Sequence, residues 1–355
     1  MAQRLHYSIA GGELVTRQPT ISRKSAIDAR APIENLPSSR SSLLLNCHRN
    51  GQHHSQFIQQ TKNLDPILTA VVHPVDADSL LGAFEAAEAK LIVPVLVGPQ
   101  KQIRAAAELA KVDISGYELL PADNRRAAAV RSVELARELK VQALMKGSLH
   151  TDEFMGAIVR EEKLRTDRRM SHVFVIDAPC YPRPLFITDA AINIYPTIQE
   201  KADIVQNAID LGHILGLQHP KVAILSAVET VSPKIQSTLD AAILCKMADR
   251  GQIIGGILDG PLAFDNAVST EAARAKGIVS PVAGEADIFI VPDLDAGNML
   301  AKQLEYLAGA KIAGIVLGSR VPIVLTSRAD KAQARLASCA IALMLANAGT
   351  LVSSG

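Results

Sequence analysis

The sequence predicts an α/β fold of two domains with largely parallel sheets. Three observations carry this. From Ile67 onward, short continuous apolar runs alternate with stretches of helical spacing, the pattern of strands buried on both faces by helices. The chain has 355 residues, too many for one typical domain and comfortable for two. Hydrophobic residues make up 48% of it, so a sizeable core can be buried.

In order, LTAVVHP (Leu68–Pro74) reads as a strand and LLGAFEAAEAK (Leu80–Lys90) as a helix. LIVPVLVG (Leu91–Gly98) is a strand and KQIRAAAELAKV (Lys101–Val112) a helix. RAAAVRSVELARELK (Arg126–Lys140) is a helix, QALMKG (Gln142–Gly147) a strand and DEFMGAIVRE (Asp152–Glu161) a helix. Further strands are expected at His172–Asp177, Leu185–Asp189, Lys221–Ala227, Asp287–Asp293, Ala313–Gly318 and Pro322–Ser327, most of them separated by long helical stretches. Asp259-Gly260-Pro261 reads as a turn.

Composition excludes several function classes. Aromatic residues are 3% and Trp is absent, which argues against stacking platforms for single-stranded nucleic acid. A formal net charge of +1 gives no overall pull toward DNA or an anionic membrane. No apolar run approaches the roughly 20 residues of a membrane span. Cys47, Cys180, Cys245 and Cys339 lie far apart without CxxC spacing. Neither a disulfide framework nor a zinc site is expected, and a reducing compartment fits. Residues 1–62 are rich in Ser, Arg, Gln and His, with few acids and no sustained period. They read as a disordered extension, or else as a transit peptide, although Asp28 and Glu34 interrupt it.

In open α/β folds ligands bind outside the carboxyl ends of the strands. Four expected strand ends carry small and polar residues: MKGSLHTD (Met145–Asp152), ITDAAINIYP (Ile187–Pro196), PDLDAGN (Pro292–Asn298) and TSRAD (Thr326–Asp330). Small residues admit a ligand close to backbone amides, and those amides with Lys146 or Arg328 suit an anion such as phosphate. Blander readings stand beside this one. Ser327 with Asp330 fits a capping box; His150 fits a hydrogen-bonded turn, and Lys146 a solvated charge. GxxxxGK[ST], GxGxxG after a strand and GxSxG are all absent, which removes the main support for kinase, Rossmann dehydrogenase and α/β-hydrolase readings. The residues alone reach an α/β enzyme that binds a phosphate-bearing ligand.

DGPLAFDNA and SPVAGEADIFIVPDLDAGNMLAKQLEYLAGAKIAGIVLG, within Asp259–Gly318, closely resemble the phosphate acetyl/butyryltransferases. KGSLHT, FITDAAINIYP and VLTSRAD match the same family in the same order, and the resemblance spans roughly Ile67 to Ala346. It looks nearest to a subgroup often fused to an enoyl-CoA hydratase module, which is absent here. The resemblance implies reversible transfer of a short acyl group, acetyl or butyryl, between coenzyme A and phosphate by direct attack of the CoA thiolate on acyl phosphate. It also implies an isocitrate/isopropylmalate dehydrogenase-like fold with the active site in an interdomain cleft. The first domain would take residues 63–165 and 314–355, the second 166–313.

By the same resemblance Ser327 would hydrogen-bond the reacting thioester region and Arg328 would hold the phosphate. Acetyltransferases carry a basic aspartate in a longer SRGxSxxD pattern; Ala334 stands there in this chain. Asp330 is the nearest carboxylate, and Asp295, Asp189 or His150 are alternatives. An arginine of the acetyltransferases is replaced by Ala157, with Arg160 nearby. Both departures look more like the butyryl branch. Lys146, Gly147, Ser148, His150, Thr151, Asp189, Asn193, Asp295, Gly297 and Asn298 are the expected substrate-binding residues. No metal and no tightly bound cofactor are expected; coenzyme A is a substrate. Acyl-CoA, phosphate and acyl phosphate are the expected partners, without nucleic acid or membrane, in a cytoplasmic homodimer or higher homo-oligomer. The alternatives are a non-catalytic acyl-CoA or acyl-phosphate binding protein and a decarboxylating dehydrogenase of the same fold.

Overall fold

The computed structural model describes residues 52–326 and 332–352, with side chains described as far as Gly349. In chain order the elements are α1 (His53–Gln60), β1 (Ile67–Val72), α2 (Ala77–Glu88), β2 (Ile92–Gly98), α3 (Gln100–Ala110), β3 (Glu118–Pro121), α4 (Arg125–Arg137), β4 (Ala143–Lys146) and α5 (Thr151–Arg160). Then follow β5 (Ser171–Asp177), β6 (Leu185–Thr188), α6 (Ile198–Ile214), β7 (Lys221–Leu225), α7 (Gln236–Asp249), β8 (Ile257–Leu262), α8 (Phe264–Val268) and α9 (Thr270–Ala275). The last are β9 (Ile288–Ile290), α10 (Leu294–Ala308), β10 (Lys311–Leu317), β11 (Ile323–Val324) and α11 (Ala332–Val352).

The strands form one sheet of 11, in the order β3-β2-β1-β4-β11-β10-β5-β6-β9-β7-β8. Most neighbours are parallel, as the apolar runs predict. The exceptions lie together in the middle, where β10 pairs antiparallel with β11 and β5, and β5 antiparallel with β6. The flanking halves therefore run in opposite directions. Met145, Val324, Ile315, Val173, Thr188 and Ile290 stand side by side in one row. From that row β4 leaves one way at Lys146, whereas β6 and β9 leave the other way at Asp189 and Val291.

Alternation of side chains gives the two faces different cores. One face carries a single core in which Val71, Met145, Ile315, Val173, Phe186 and Ile290 meet side chains of α1, α2, α3, α6, α7 and α11. The other face carries two. Val72, Leu144, Ile323 and Val316 pack with α4 and α5, while Ile176, Ile187, Phe289 and Ile312 pack with α8 and α10. On β10 that face reads Ile312, Gly314, Val316, one residue in each core with a glycine between them. A groove separates the two cores.

Strands missed in the sequence are the two edges. β3 is short and half-exposed, so it has no apolar run. Asp259, Gly260 and Pro261, expected as a turn, lie within β8. An edge strand tolerates the missing proline N–H.

The expected extension through residue 62 is corrected at its end, where α1 packs against α11. Phe57 is 3% exposed. Nε2 of buried His54 lies 3.0 Å from the Val175 carbonyl, and its backbone N–H donates to Asp177 Oδ2 at 3.4 Å. Desolvation holds the imidazole below its ordinary pKa. Two buried polar contacts and one phenyl ring leave little hydrophobic periodicity to detect. Cys180 is disulfide-bonded, which corrects the expectation drawn from the wide cysteine spacing and removes that ground for a reducing compartment. Among the described residues no helix is long and apolar enough to cross a membrane.

Candidate active site

The groove between the two cores holds a cleft of about 350 Å³. Lys146, Leu149, His150 and Thr151 form one wall, Ala191, Asn298 and Lys302 the other, and His172, Phe174, Leu325 and Thr326 the remainder.

Local sequence explains how each wall is held. Asp293 caps α10 by accepting from the Ala296 N–H at 2.9 Å, and Gly309 ends the helix in the left-handed region at φ 65°. The stretch after β9 thus becomes a helix on the sheet face, with Asn298 and Lys302 one turn apart. Asn298 Nδ2 donates to the Ala190 carbonyl at 3.2 Å, which ties α10 to the turn after β6. Lys302 pairs with Glu305 at 2.7 Å and lies 5.7 Å from the centre of the Tyr306 ring. On the opposite wall Lys146 is 7% exposed and donates to the Thr326 carbonyl at 3.3 Å. Its ammonium therefore stands at the junction of β4 and β11.

His172 is fully buried in the floor. Burial pushes its imidazole down to about 3, with Lys302 adding to the fall and the Leu325 carbonyl opposing it. Neither ring nitrogen has a hydrogen-bond partner. The ring is neutral near pH 7 and stacks edge-on to Phe174, with centroids 4.4 Å apart.

Of the residues expected from sequence, Lys146, His150, Thr151 and Asn298 come together in this cleft. Gly147 lines an adjoining cavity, and a Cβ on it would meet the Val72 carbonyl oxygen at 2.4 Å. Ser148, Asp189, Asn193, Asp295 and Gly297 do not line the cleft. Ser148 uses its backbone, donating to the His73 carbonyl at 2.9 Å. The Asp189 carboxylate accepts from the backbone N–H groups of His172, Ala191, Ile192 and Asn193 and from Asn193 Nδ2. Burial pushes this carboxyl up from its ordinary range, against those donors. Asn193 also donates to the Met170 carbonyl at 2.9 Å and accepts from Arg169 Nε at 2.9 Å. Together these side chains knot the turn after β6. Asp295 is exposed on α10. Gly297 sits where a Cβ would press on the Asp189 carbonyl oxygen at 2.8 Å. Ser327, Arg328 and Asp330 lie outside the described residues.

His172, Phe174 and Lys302 were not expected in the site. The four-residue spacing of Asn298 and Lys302 was a usable signal. His172 and Phe174 sit in an apolar strand, where only the sheet order reveals a groove. Arg160 and Ala157 line a different cavity, of about 580 Å³, between α4 and α5. Another, of about 590 Å³, lies beside Gln142, Arg168 and Gly318 and holds none of the expected site residues. Among the described residues no group of three or more His, Cys, Asp or Glu could hold a metal ion.

A family model described as phosphate acetyl/butaryl transferase matches residues 122–343. The phosphate acetyltransferase of Rickettsia prowazekii (strain Madrid E) is 55% identical over 298 residues, covering 83% of this chain and 85% of that protein. The phosphate butyryltransferase of Clostridium acetobutylicum is 40% identical over 293 residues, covering 82% of this chain and 97% of that protein. A solved branched-chain phosphotransacylase from Enterococcus faecalis V583 is similar with a TM-score of 0.69 at 29% identity, covering 79% of this chain and 99% of that one.

Proposed function

This chain belongs to the phosphate acetyl/butyryl transferase family, and we propose that its active site is the groove between the two cores. The protein is an acyltransferase that moves a short acyl group reversibly between coenzyme A and inorganic phosphate. One observation carries the choice of site. Lys146 and Thr326, at the ends of β4 and β11, share one cleft with Asn298 and Lys302 of α10.

In one direction the CoA thiolate attacks the carbonyl carbon of an acyl phosphate. A C–S bond forms, the C–O bond breaks, and phosphate leaves with the electron pair. In the other direction a phosphate oxygen attacks the thioester and the CoA thiolate leaves. Both directions pass through a tetrahedral centre whose oxygen gains negative charge. Lys146 is suited to meet that charge, since its position is fixed before substrate arrives. Asn298 and Lys302 orient the substrate from the facing wall. His172, neutral and unpartnered, offers hydrogen bonding without charge, and Phe174 and Leu325 give the acyl group an apolar surface. Coenzyme A enters as a substrate; no resident cofactor is part of the proposal.

Ser327 and Arg328 keep the roles that the resemblance implies, contact with the thioester and with phosphate. Thr326, directly before them, lies in the cleft wall, which supports this reading. Asp330 is the candidate base. Asp189 is set aside because its carboxylate is committed to the turn after β6, and Asp295 because it does not line the cleft. We take acetyl as the acyl group. The relative named phosphate acetyltransferase, at 55% identity against 40% for the butyryltransferase, outweighs the departures at Ala157 and Ala334.

The division into domains 63–165 with 314–355 and 166–313 is part of the same reading, supported by the split core on one sheet face. So are a cytoplasmic location and a homodimer or higher homo-oligomer. Exposed Met299, Tyr306 and Leu307 fall on one side of α10, which supports the oligomer. Acyl phosphate formation from acetyl-, propionyl- and butyryl-CoA with phosphate tests the reading. Turnover greatest with acetyl-CoA is expected, and CoA release from none of them contradicts it.

A further inference from the structure

A second cavity, of about 260 Å³, adjoins the cleft at the ends of β4 and β11. Lys146 and Thr326 line both spaces. The second is otherwise bounded by Asp76, Asp78 and Ser79 at the start of α2, by Met145 and Gly147, and by Arg335 of α11. At about 30 Å³ per water, it has room for a phosphate ion with several waters but not for the nucleotide part of CoA.

Arg335 is the unusual feature. It is 8% exposed, and its Nε is buried with no hydrogen-bond partner. Among the described residues no carboxylate pairs with it. Burial of an unpaired cation is strongly unfavourable, so buried guanidinium groups are normally matched by an anion. Neither carboxylate that lines the cavity supplies one. Asp76 accepts from the Ser79 N–H at 2.7 Å as the cap of α2, and Asp78 is exposed on its first turn. The chain also makes room for Arg335, since a Cβ on Gly82 would come within 2.6 Å of its Cδ and Nε. A guanidinium held in a slot beside an ammonium, at the mouth of a helix N-terminus, is an arrangement for an anion with several oxygens.

We propose that this cavity is the phosphate subsite of the reaction and that Arg335 holds the phosphate ion there. Lys146 lies between the two spaces, so a phosphate oxygen at its ammonium would face an acyl carbonyl lying in the cleft. The proposal rests on the acyltransferase reading and adds to it a binding residue eight positions beyond Ser327.

Arg335→Gln keeps much of the shape and removes the charge, while Arg335→Lys keeps the charge. Two readouts separate binding from structure. The first is thermal stabilisation of the full chain by inorganic phosphate alone, with CoA alone as the comparison. The second is the KM for phosphate against the KM for acyl-CoA. Arg335→Gln is expected to lose the stabilisation by phosphate but not that by CoA, and to raise the KM for phosphate at least about tenfold. The KM for acyl-CoA should stay within about twofold, with Arg335→Lys between the two forms. Unchanged phosphate stabilisation and KM in Arg335→Gln would overturn the assignment while leaving the acyltransferase reading intact. Absence of acyl transfer by the unmodified chain would instead sink that reading. Should Arg335→Gln fail to fold, hydrogen exchange of the unmodified chain with and without phosphate decides. Protection at the start of α2 and around Arg335 is expected, and its absence overturns the proposal.

Discussion

Lys146 donates to the backbone carbonyl of Thr326 at 3.3 Å, across 180 residues of sequence. The contact ties the end of β4 to the end of β11 where the groove between the two cores begins. Replacement by glutamine removes the ammonium that is poised for developing charge. Lys146→Gln should lower kcat/KM by about 10–100-fold, equivalent to roughly 1.5–3 kcal/mol. Steady-state kinetics check this, with circular dichroism as the folding control.

Arg328 gives the second prediction. As the phosphate clamp implied by the family motif, its loss in Arg328→Ala should raise the KM for phosphate strongly. The change should cost roughly 1.5–3 kcal/mol of transition-state binding. Melting temperature should barely move. Unchanged kinetics with a large fall in melting temperature would make Arg328 a structural residue.

Acid stability should carry the mark of His172. Its folded pKa of about 3 lies below its ordinary value of 6.5, so the unfolded chain binds the proton first. The stability held above pH 6.5 is therefore lost progressively as pH falls toward about 3, by up to about 1.4 kcal/mol per pH unit. His172→Gln removes this group alone, leaving the buried His54 and His73 in place. Urea unfolding between pH 7 and pH 4 should show a shallower decline in the variant; parallel declines would mean that His172 titrates normally.

Cysteine should take no part in the chemistry. Burial pushes the thiols of Cys245 and Cys339 up to about 12, and both are free. Neither supplies a thiolate near pH 7. Cys245→Ser and Cys339→Ala should retain turnover within about threefold, given the modest cost of small changes in a core. An acyl group on either cysteine, found by mass spectrometry of the protein mixed with acyl-CoA, would contradict direct transfer.

Phe57 tests the corrected boundary of the fold. Its ring is buried in the single-core face, so Phe57→Ala should cost roughly 3–5 kcal/mol of stability by chemical denaturation. Near-neutrality would return α1 to the status of a dispensable extension.

Strand positions were legible because β1, β2, β4, β5, β7 and β10 are continuous apolar runs. The edges β3 and β8 were not, since half-exposed strands with polar or proline residues lack that signal. Within the proposed site, Lys146, His150, Thr151 and Asn298 were brought to notice by the glycine and polar residues that cluster at strand ends, and they line one cleft. Asp189 and Asn193 carry the same signature for a structural reason, the capping of a buried turn. No local pattern distinguishes the two. His172 was hidden because its role depends on the antiparallel pairing of β5 with β10, a long-range feature. Arg335 was hidden because its partner, Gly82, lies in another helix.

Acyl transfer requires both substrates to meet in the groove, and a crystal structure of the full chain with acetyl-CoA and phosphate measures that most directly. It should contain the thioester between Lys146 and Asn298, with phosphate on the Lys146 side toward Arg335. A thioester bound between α4 and α5, or beside Gly318, would contradict the assignment of the groove.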